Sequence, residues 1–238
     1  MDGQTRRVAG AEESRLRVDG RFLARGDQRL FLKAVTYGPF PPATALVPGE
    51  EFPRVAEAGF NAVRVYQEPD RELLDCALEH GLVVLAGLHW EWCRDFLQSP
   101  ALLSEGALRL IDLARRLGDH PAFGALLVAN EIPPDLTRWM GPVEVRDALE
   151  ELIAACQAEA DELLVAYSNY PSTEYLEPRN ADFSAFNVYL EERKAYRSYL
   201  ARLQNVAGDR PVVITEFGLD TQRNGEERQA EILRWQVE

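Results

Sequence analysis

Short apolar runs alternate with longer amphipathic segments along most of this chain. The runs are rich in aliphatic and β-branched residues and lie at 31–37, 61–66, 82–88, 123–130, 162–168, 181–189 and 211–217. Each is followed by a segment compatible with a helix, although the one between the fifth and sixth runs is at best a short turn. Because parallel strands need a crossover between them, the alternation predicts an α/β fold with a parallel sheet.

The spacing of the strand ends distinguishes a barrel from an open sheet. From Tyr37 to Glu216 the chain advances 179 residues over six strand–helix units, and about 30 residues per unit is typical of a TIM barrel. An open doubly wound sheet usually has a glycine-rich phosphate loop after its first strand, whereas the segment here is TYGPFPPATALVPG. We therefore predict a (β/α)8 TIM barrel.

Only seven barrel strands can be counted, because the 22 residues after Glu216 have the pattern of a helix. Strand 8 is therefore missing from the predicted barrel, and we expect its open edge to permit self-association or docking of an additional domain. Earlier in the chain, 16–32 is typical of a β-hairpin. The predicted organisation is a disordered tail at 1–13 and one barrel domain at 14–238.

The charge balance argues against several classes of partner. The chain has 26 basic and 39 acidic residues and a net charge of −13, which disfavours binding to nucleic acid, an anionic membrane or a polyanionic glycan. No apolar signal segment occurs near the N-terminus, and the longest apolar stretch, 81–88, is too short to span a bilayer. Together with three widely spaced cysteines, this predicts a cytoplasmic protein without disulfides.

The predicted strands end in polar residues, at the face where the active sites of TIM barrels lie. The most informative of them are Arg64, Asn130, Glu131, Asn187, Tyr189 and Glu216. Buried carboxylates need hydrogen-bonding or cationic partners, which Arg64, Asn130 and Tyr189 can supply. Two facing carboxylates suit glycoside hydrolysis, in which one is a protonated acid with a pKa raised by repulsion and the other an ionised nucleophile.

Two segments carry a resemblance to a known superfamily. VANEIP at the end of the fourth run and VVITEFG at the end of the seventh resemble the two signatures of glycoside hydrolase clan A, whose members are retaining glycosidases with a TIM barrel. The resemblance covers roughly 30–218 and is nearest to the barrel domain of the β-galactosidase and β-glucuronidase family. It implies Glu131 as acid/base, Glu216 as nucleophile and Asn130 as a ligand of the sugar 2-hydroxyl.

Further matches to the clan are FLKAVTYGP, VRVY, DHPAFGALLVANE and FNVY. Arg64 and Tyr189 resemble the residues that hold the nucleophile, and His89 resembles the strand 3 histidine. The substrate-binding residues expected here are Tyr37, Arg64, His89, Trp90, Asn130, Asn187 and Tyr189. Trp90, Trp92 and Trp139 are either sugar-stacking platforms or packing residues of the barrel rim. The departure from the clan is strand 8, where members often place a tryptophan under the sugar.

The expected activity is hydrolysis of a β-linked oligo- or polysaccharide by double displacement, with no cofactor. A transglycosylase of the same mechanism differs only in whether water or a sugar reaches the intermediate, and the sequence leaves this open. A non-catalytic carbohydrate-binding barrel domain of a larger glycan-processing protein is a further alternative. No metal is expected, because His89 and Glu91 have no third ligand at a suitable spacing.

Overall fold

The computed structural model describes residues 15–38 and 46–237, and the tail predicted at 1–13 lies outside them. The strands found there are β1 (Leu16–Asp19), β2 (Phe22–Arg25), β3 (Gln28–Leu30), β4 (Ala34–Thr36), β5 (Ala62–Val65), β6 (Val83–Gly87), β7 (Phe123–Asn130), β8 (Leu164–Asn169), β9 (Ser184–Asn187) and β10 (Val212–Glu216). The helices are α1 (Pro48–Glu57), α2 (Arg71–Glu79), α3 (Pro100–Leu117), α4 (Pro134–Met140), α5 (Pro142–Glu159), α6 (Arg193–Ala207), α7 (Thr221–Asn224) and α8 (Glu226–Val237), with a 3₁₀ helix at Glu174–Leu176.

Strands β4 to β10 form one parallel sheet in which each strand pairs with the next along the chain. Each of the seven predicted runs overlaps one of these strands, so the prediction of a parallel α/β fold is confirmed. A sequential order is what a barrel requires, because every crossover then connects neighbouring strands in the same direction.

The sheet is strongly curled. Adjacent strands lie about 4.8 Å apart, so β5 and β10, five strands from each other, would be about 24 Å apart in a flat sheet. Nevertheless the guanidinium of Arg64 on β5 lies 2.8 Å from the carboxylate of Glu216 on β10. Within the described residues β4 and β10 do not pair with each other. The structure is thus a curled half-barrel of seven strands, and the predicted association at its open edge stays a prediction.

The central strands are apolar on both faces because both faces are covered. Every residue of β8 and all but the last of β7 are buried. Their outer faces contact α3 and α5, while their inner faces fill the interior of the half-barrel. Burial on both sides explains why these strands have continuous apolar runs rather than an alternating pattern.

The predicted hairpin at 16–32 is confirmed and covers the amino end of the barrel strands. It forms a separate antiparallel sheet of β1, β2 and β3. Leu16 is buried against β7, and a Cβ added at Gly124 would lie 3.2 Å from the Leu16 side chain and 2.3 Å from that of Val83. Gly124 therefore permits this close approach, and the opposite end of the sheet is left for the polar residues. Among the helices described, none has the length and apolarity to cross a membrane.

Candidate active site

Polar side chains from the carboxyl ends of several strands converge on the guanidinium of Arg64. Its Nη1 donates to Glu216 Oε1 at 2.8 Å and to the backbone oxygen of Thr215 at 2.8 Å, and its Nη2 donates to Asn130 Oδ1 at 2.8 Å. Arg64 is only 2% exposed. A buried cation requires such partners, so Arg64 organises the ends of β5, β7 and β10 around one charge.

Glu216 receives hydrogen bonds from three side chains. Arg64 and the Tyr66 hydroxyl donate to Oε1 at 2.8 and 2.7 Å, and the Tyr189 hydroxyl donates to Oε2 at 2.7 Å. The guanidinium also lies over the Tyr66 ring at 4.4 Å. Both oxygens of Glu216 are therefore oriented by hydrogen bonds, and Arg64 pairs with the carboxylate as a cation.

Glu131 occupies a less polar environment at the end of β7. Its carboxylate accepts one side-chain hydrogen bond, from Asn187 Nδ2 at 2.8 Å. Burial raises the pKa of Glu131, the Asn187 hydrogen bond opposes this, and the negative charge of Glu216 adds to the increase. The expected direction of the shift is therefore found, although desolvation contributes more than the repulsion on which the expectation rested.

The backbone of Glu131 is in the left-handed region, with φ of 51°. This conformation costs a non-glycine residue on the order of 1 kcal/mol and is often found at functional sites. The Glu131 amide donates to the Ser168 carbonyl at 2.9 Å, which holds the turn against β8. The pairing of β7 with β8 also shifts register between Leu127 and Asn130. The end of β7 is thus bent where Asn130 and Glu131 enter the site.

Asn187 on β9 connects the two glutamates. Its Nδ2 donates to Glu131 and, at 3.1 Å, to Asn130 Oδ1. Its Oδ1 accepts from Arg64, Ser168 Oγ and Thr215 Oγ1, at 3.2, 3.0 and 2.7 Å. Because Asn187 is buried and saturated with partners, it fixes the geometry between the acidic groups rather than presenting a free amide.

The structure brings together six of the residues singled out from the sequence: Arg64, Asn130, Glu131, Asn187, Tyr189 and Glu216. His89 lies next to them. With Trp92, Arg64, Tyr66 and Asn130 it lines a small pocket of about 80 Å³. Its ring contacts Trp92 edge to face, with centroids 4.7 Å apart. A contact between His89 and a sugar stays a prediction, but its position at the site permits one.

Two expected substrate-binding residues point elsewhere. The Tyr37 hydroxyl donates to Glu51 Oε2 on α1 at 2.5 Å, and its ring packs on Phe52, so Tyr37 faces the helical layer. Trp90 is 3% exposed and its Nε1 donates to the Val128 carbonyl at 2.7 Å. The structure does not bring Tyr37 or Trp90 into the network around Arg64, because packing and hydrogen bonds hold both side chains in the interior.

Close packing around Trp90 explains its burial. Its ring contacts Trp92 and Phe96, and a Cβ added at Gly106 on α3 would lie 2.7 Å from it. Trp139 differs, because it is 73% exposed and donates from Nε1 to Asp95 Oδ2 at 2.8 Å. Trp139 thus presents its ring to solvent, and its role as a sugar platform stays a prediction.

Tyr66, Ser168 and Thr215 belong to the site, although the sequence assigned none of them a catalytic or substrate-binding role. Tyr66 lies two positions after Arg64, and period 2 in an extended segment places both side chains on one face, a signal available in VRVY. Thr215 precedes Glu216, and consecutive residues normally face opposite sides. An irregularity in the β9–β10 pairing between Ile214 and Glu216 brings both into the site, which the sequence does not reveal.

Solved structures with this fold include three bacterial β-glucuronidases. The protein from Ruminococcus gnavus has a TM-score of 0.75 and 19% identity, over 93% of this chain and 43% of its own. The structure from Bifidobacterium dentium, complexed with coumarin-3-O-glucuronide, has a TM-score of 0.77 and 16% identity, over 93% of this chain and 40% of its own. The structure from Bacteroides uniformis has a TM-score of 0.76 and 17% identity, over 92% of this chain and 30% of its own.

Similarity at these identities shows the fold. This chain spans well under half the length of those proteins. No protein-family model and no curated protein matches the sequence. The resemblance to glycosidase barrels, inferred from VANEIP and VVITEFG, is therefore supported at the level of structure. No group of three or more potential metal ligands occurs within 15–38 and 46–237.

Proposed function

We propose that this domain is a retaining β-glycosidase in which Glu216 is the nucleophile and Glu131 the acid/base. The observation that carries the proposal is the bridge between the two carboxylates. Asn187 donates to Glu131, and Arg64 donates both to Asn187 and to Glu216. The glutamates are 85 residues apart in the chain, and a pair of carboxyl groups held in one site is the machinery of glycoside hydrolysis.

The surroundings divide the two roles. Glu216 accepts hydrogen bonds from three side chains, one of which is the Arg64 cation, and these partners orient it as an attacking carboxylate. Burial raises the pKa of Glu131 and so favours the protonated form that a general acid must have. The same residue type therefore serves as nucleophile at one strand end and as acid at the other.

The reaction proceeds in two displacements at the anomeric carbon. In the first, Glu216 forms a glycosyl ester bond while the bond to the leaving oxygen breaks, and Glu131 gives its proton to that oxygen. In the second, the ionised Glu131 takes a proton from water, or from an acceptor hydroxyl, whose oxygen attacks and releases Glu216. Two inversions retain the anomeric configuration.

The proposed substrate is a β-linked oligo- or polysaccharide. Asn130 Oδ1 accepts hydrogen bonds from Arg64 and Asn187, while its Nδ2 has no partner among the described residues. That amide is available to donate to a sugar hydroxyl. Because the structural neighbours are β-glucuronidases, a β-glucuronide is one of the substrates to test beside neutral β-glycosides.

A panel of 2-deoxy-2-fluoro-β-glycosides with activated leaving groups tests the proposal. Such donors should form the glycosyl–enzyme and release it slowly, so peptide mass mapping should locate the sugar on Glu216 and identify its type. Glu216→Gln should take up no label, and Glu226→Gln, an exposed change on α8, should label like the wild type. Label on another residue, or none from any donor, would contradict the assignment.

The same experiment separates the alternatives. An excess of acceptor sugar that diverts most of the product into a new glycoside would indicate a transglycosylase. Glycan binding that persists in Glu216→Gln, with no turnover of any activated donor by the wild type, would indicate a binding domain. The open edge of the half-barrel is the observation that favours this last alternative.

A further inference from the structure

A second pocket lies outside the carboxylate pair. It has a volume of about 430 Å³ and is lined by two arginines, an aromatic ring and two apolar side chains: Arg138, Pro142, Val143, Arg146 and Tyr175. The walls are the end of α4, the first turns of α5 and the 3₁₀ helix. None of these lining residues contributes a hydrogen bond to the network around Arg64.

The topology places this pocket on the same face as Glu131. Helix α4 begins three residues after Glu131, and the 3₁₀ helix follows the carboxyl end of β8 by five residues. Strands β7 and β8 are parallel neighbours, so both segments emerge at the face where the carboxylates lie. Burial raises the pKa of Tyr170, and the charges of Glu131, Asp135 and Tyr175 add to the increase, so these groups lie near Tyr170.

The pocket is on the side of the acid/base rather than of the nucleophile. Glu216 is on β10, three strands from β7 across the curled sheet. In a double displacement the leaving group departs on the side of the acid that protonates it. A sugar bound between α4, α5 and the 3₁₀ helix would therefore belong to the leaving group, or to an acceptor that replaces it.

The arginines are only partly neutralised by the protein. Arg138 makes no hydrogen bond or ion pair with the described part of the chain. Arg146 Nε is buried without a hydrogen bond, 3.8 Å from Glu150 Oε1. That carboxylate also accepts from the Arg179 amide at 2.9 Å and lies 3.5 Å from its guanidinium. Planar guanidinium groups with free donors are suited to bind carboxylates in a bidentate manner.

The remaining walls fit the body of a sugar. Tyr175 is 44% exposed and Val143 is 53% exposed, so a ring face and an aliphatic surface are open to solvent. An aromatic face attracts the C–H groups of a pyranose. In the first turns of the adjoining helices the acidic groups are Asp135 on α4 and Glu144 on α5, and Glu144 folds back against Gly141. Further along, α5 carries Asp147, Glu150 and Glu151. Glu174 of the 3₁₀ helix is bound by the Tyr199 hydroxyl and by Arg202. The pocket thus combines two arginine side chains in its lining with an aromatic and aliphatic surface.

We propose that this pocket binds a sugar residue bearing a carboxylate on the leaving-group side of the site. The assignment to that side rests on the proposed function, whereas binding itself does not. The two arginines make this pocket locally basic in a chain whose net charge is −13. The expectation from net charge, that anionic glycans are disfavoured, does not apply at this pocket because short-range pairing depends on nearby groups.

Binding is tested with three probes: glucuronic acid, glucose and glucose 6-sulfate, titrated by NMR into the full chain. Glucuronic acid should bind at least about 10-fold more tightly than glucose, since a charged bidentate pair contributes at least that factor. The double variant Arg138→Ala/Arg146→Ala should lose this preference. Arg228→Ala on α8 removes the same charge elsewhere and should keep it.

Three results would overturn the proposal. They are equal affinity for glucuronic acid and glucose, a preference for the sulfate over the carboxylate, and a preference that survives in the double variant. The last would place glucuronic acid at the carboxylate pair instead. Thermal unfolding of each variant checks that loss of binding does not come from loss of structure.

The trapped glycosyl–enzyme provides the second arm. Transfer of the 2-fluoro sugar to an acceptor should accelerate its release from the protein. Glucuronic acid should give the same acceleration as glucose at about one-tenth of the concentration, and this difference should disappear in the double variant. Equal acceleration by both acceptors would overturn the leaving-group assignment. If no donor traps the protein, the proposed function fails, and the binding arm still decides whether the pocket recognises a carboxylate.

Discussion

The carboxyl ends of β10 and β7 present the same side chain in contrasting surroundings. At the end of β10, Glu216 receives three hydrogen bonds and faces a buried guanidinium. At the end of β7, Glu131 has one donor, and burial raises its pKa. In the proposed mechanism, partners and desolvation would therefore decide which glutamate is the nucleophile and which the acid, because the residues themselves are chemically identical.

The largest expected effect on turnover comes from removing the Glu216 carboxylate at the end of β10. Glu216→Gln keeps the shape but removes the charge, so turnover of every β-glycoside should fall on the order of 10⁴-fold or more. Initial rates on activated aryl glycosides measure this. A residual rate within about 10-fold of the wild type would assign the nucleophile elsewhere.

Removing the group at β7 should have an effect that depends on the leaving group. Glu131→Gln cannot donate a proton, and general acid catalysis contributes roughly 10²- to 10⁴-fold. With basic leaving groups, the rate of the first displacement should fall by that factor. With dinitrophenyl leaving groups, which need little protonation, the rate should fall only slightly. A plot of kcat/KM against leaving-group pKa checks this. The same slope in variant and wild type would deny Glu131 the acid role.

Replacing the Arg64 guanidinium should affect mainly the Glu216 carboxylate and the stability of the fold. Arg64→Met leaves the Glu216 carboxylate with 16% of its side chain exposed and no cation, which should cost about 3 to 5 kcal/mol of unfolding free energy. Glu216→Gln in the same protein should recover part of that loss, because the unpaired charge is gone. Denaturant unfolding of the four proteins measures the coupling, and strictly additive effects would contradict it.

The pH dependence should report on the β7 side. Burial raises the pKa of Glu131, so kcat/KM should fall on the alkaline limb as that acid loses its proton. The Asn187 hydrogen bond lowers the same pKa, and Asn187→Ala should therefore move the alkaline limb to higher pH while reducing the rate. An unchanged or lowered limb would remove Asn187 from this role.

The raised pKa of Glu131 also links pH to stability. Its contribution is fully present below the unfolded pKa, near the ordinary value of 4.5, and is lost as pH rises through the folded value. Glu131→Gln has no proton to lose, so its unfolding free energy should not show this decrease. Above the folded pKa of Glu131, the variant should therefore gain stability relative to the wild type. Parallel stability curves for the two proteins would indicate an unshifted carboxyl group.

The smallest effect is expected from the tyrosines. Tyr66→Phe and Tyr189→Phe each remove one donor to Glu216 and should lower kcat/KM about 10-fold, the usual value for a hydrogen bond to a charged group. Tyr37→Phe is the matched control, since its hydroxyl binds Glu51 away from the site, and it should leave kcat/KM unchanged. Equal losses in all three variants would indicate a general structural effect.

Much of the fold was predictable because its strands are buried on both faces. Strands such as β7 and β8 form uninterrupted apolar runs, and the helices between them repeat at barrel spacing. The curl of the sheet could not be read in this way. It depends on how each strand twists against the next, and no local pattern records the sum of those twists.

The candidate site was predictable where a polar residue ends a strand, as at Arg64, Asn130 and Glu216. It was not predictable where packing chose the direction of a side chain. Trp90 and Tyr37 also follow strands, yet the first fits against Gly106 and the second against Phe52. Thr215 enters the site only because the β9–β10 pairing is irregular.

By itself the sequence determined that two glutamates end strands of a parallel sheet, because apolar periodicity and chain spacing are local properties. Tertiary structure alone decided which donors reach each glutamate. Arg64 on β5, Tyr66 after β5 and Tyr189 after β9 surround Glu216, whereas burial desolvates Glu131. Burial and hydrogen bonding are properties of assembled surfaces, so the difference between the two carboxylates exists only once the sheet has curled.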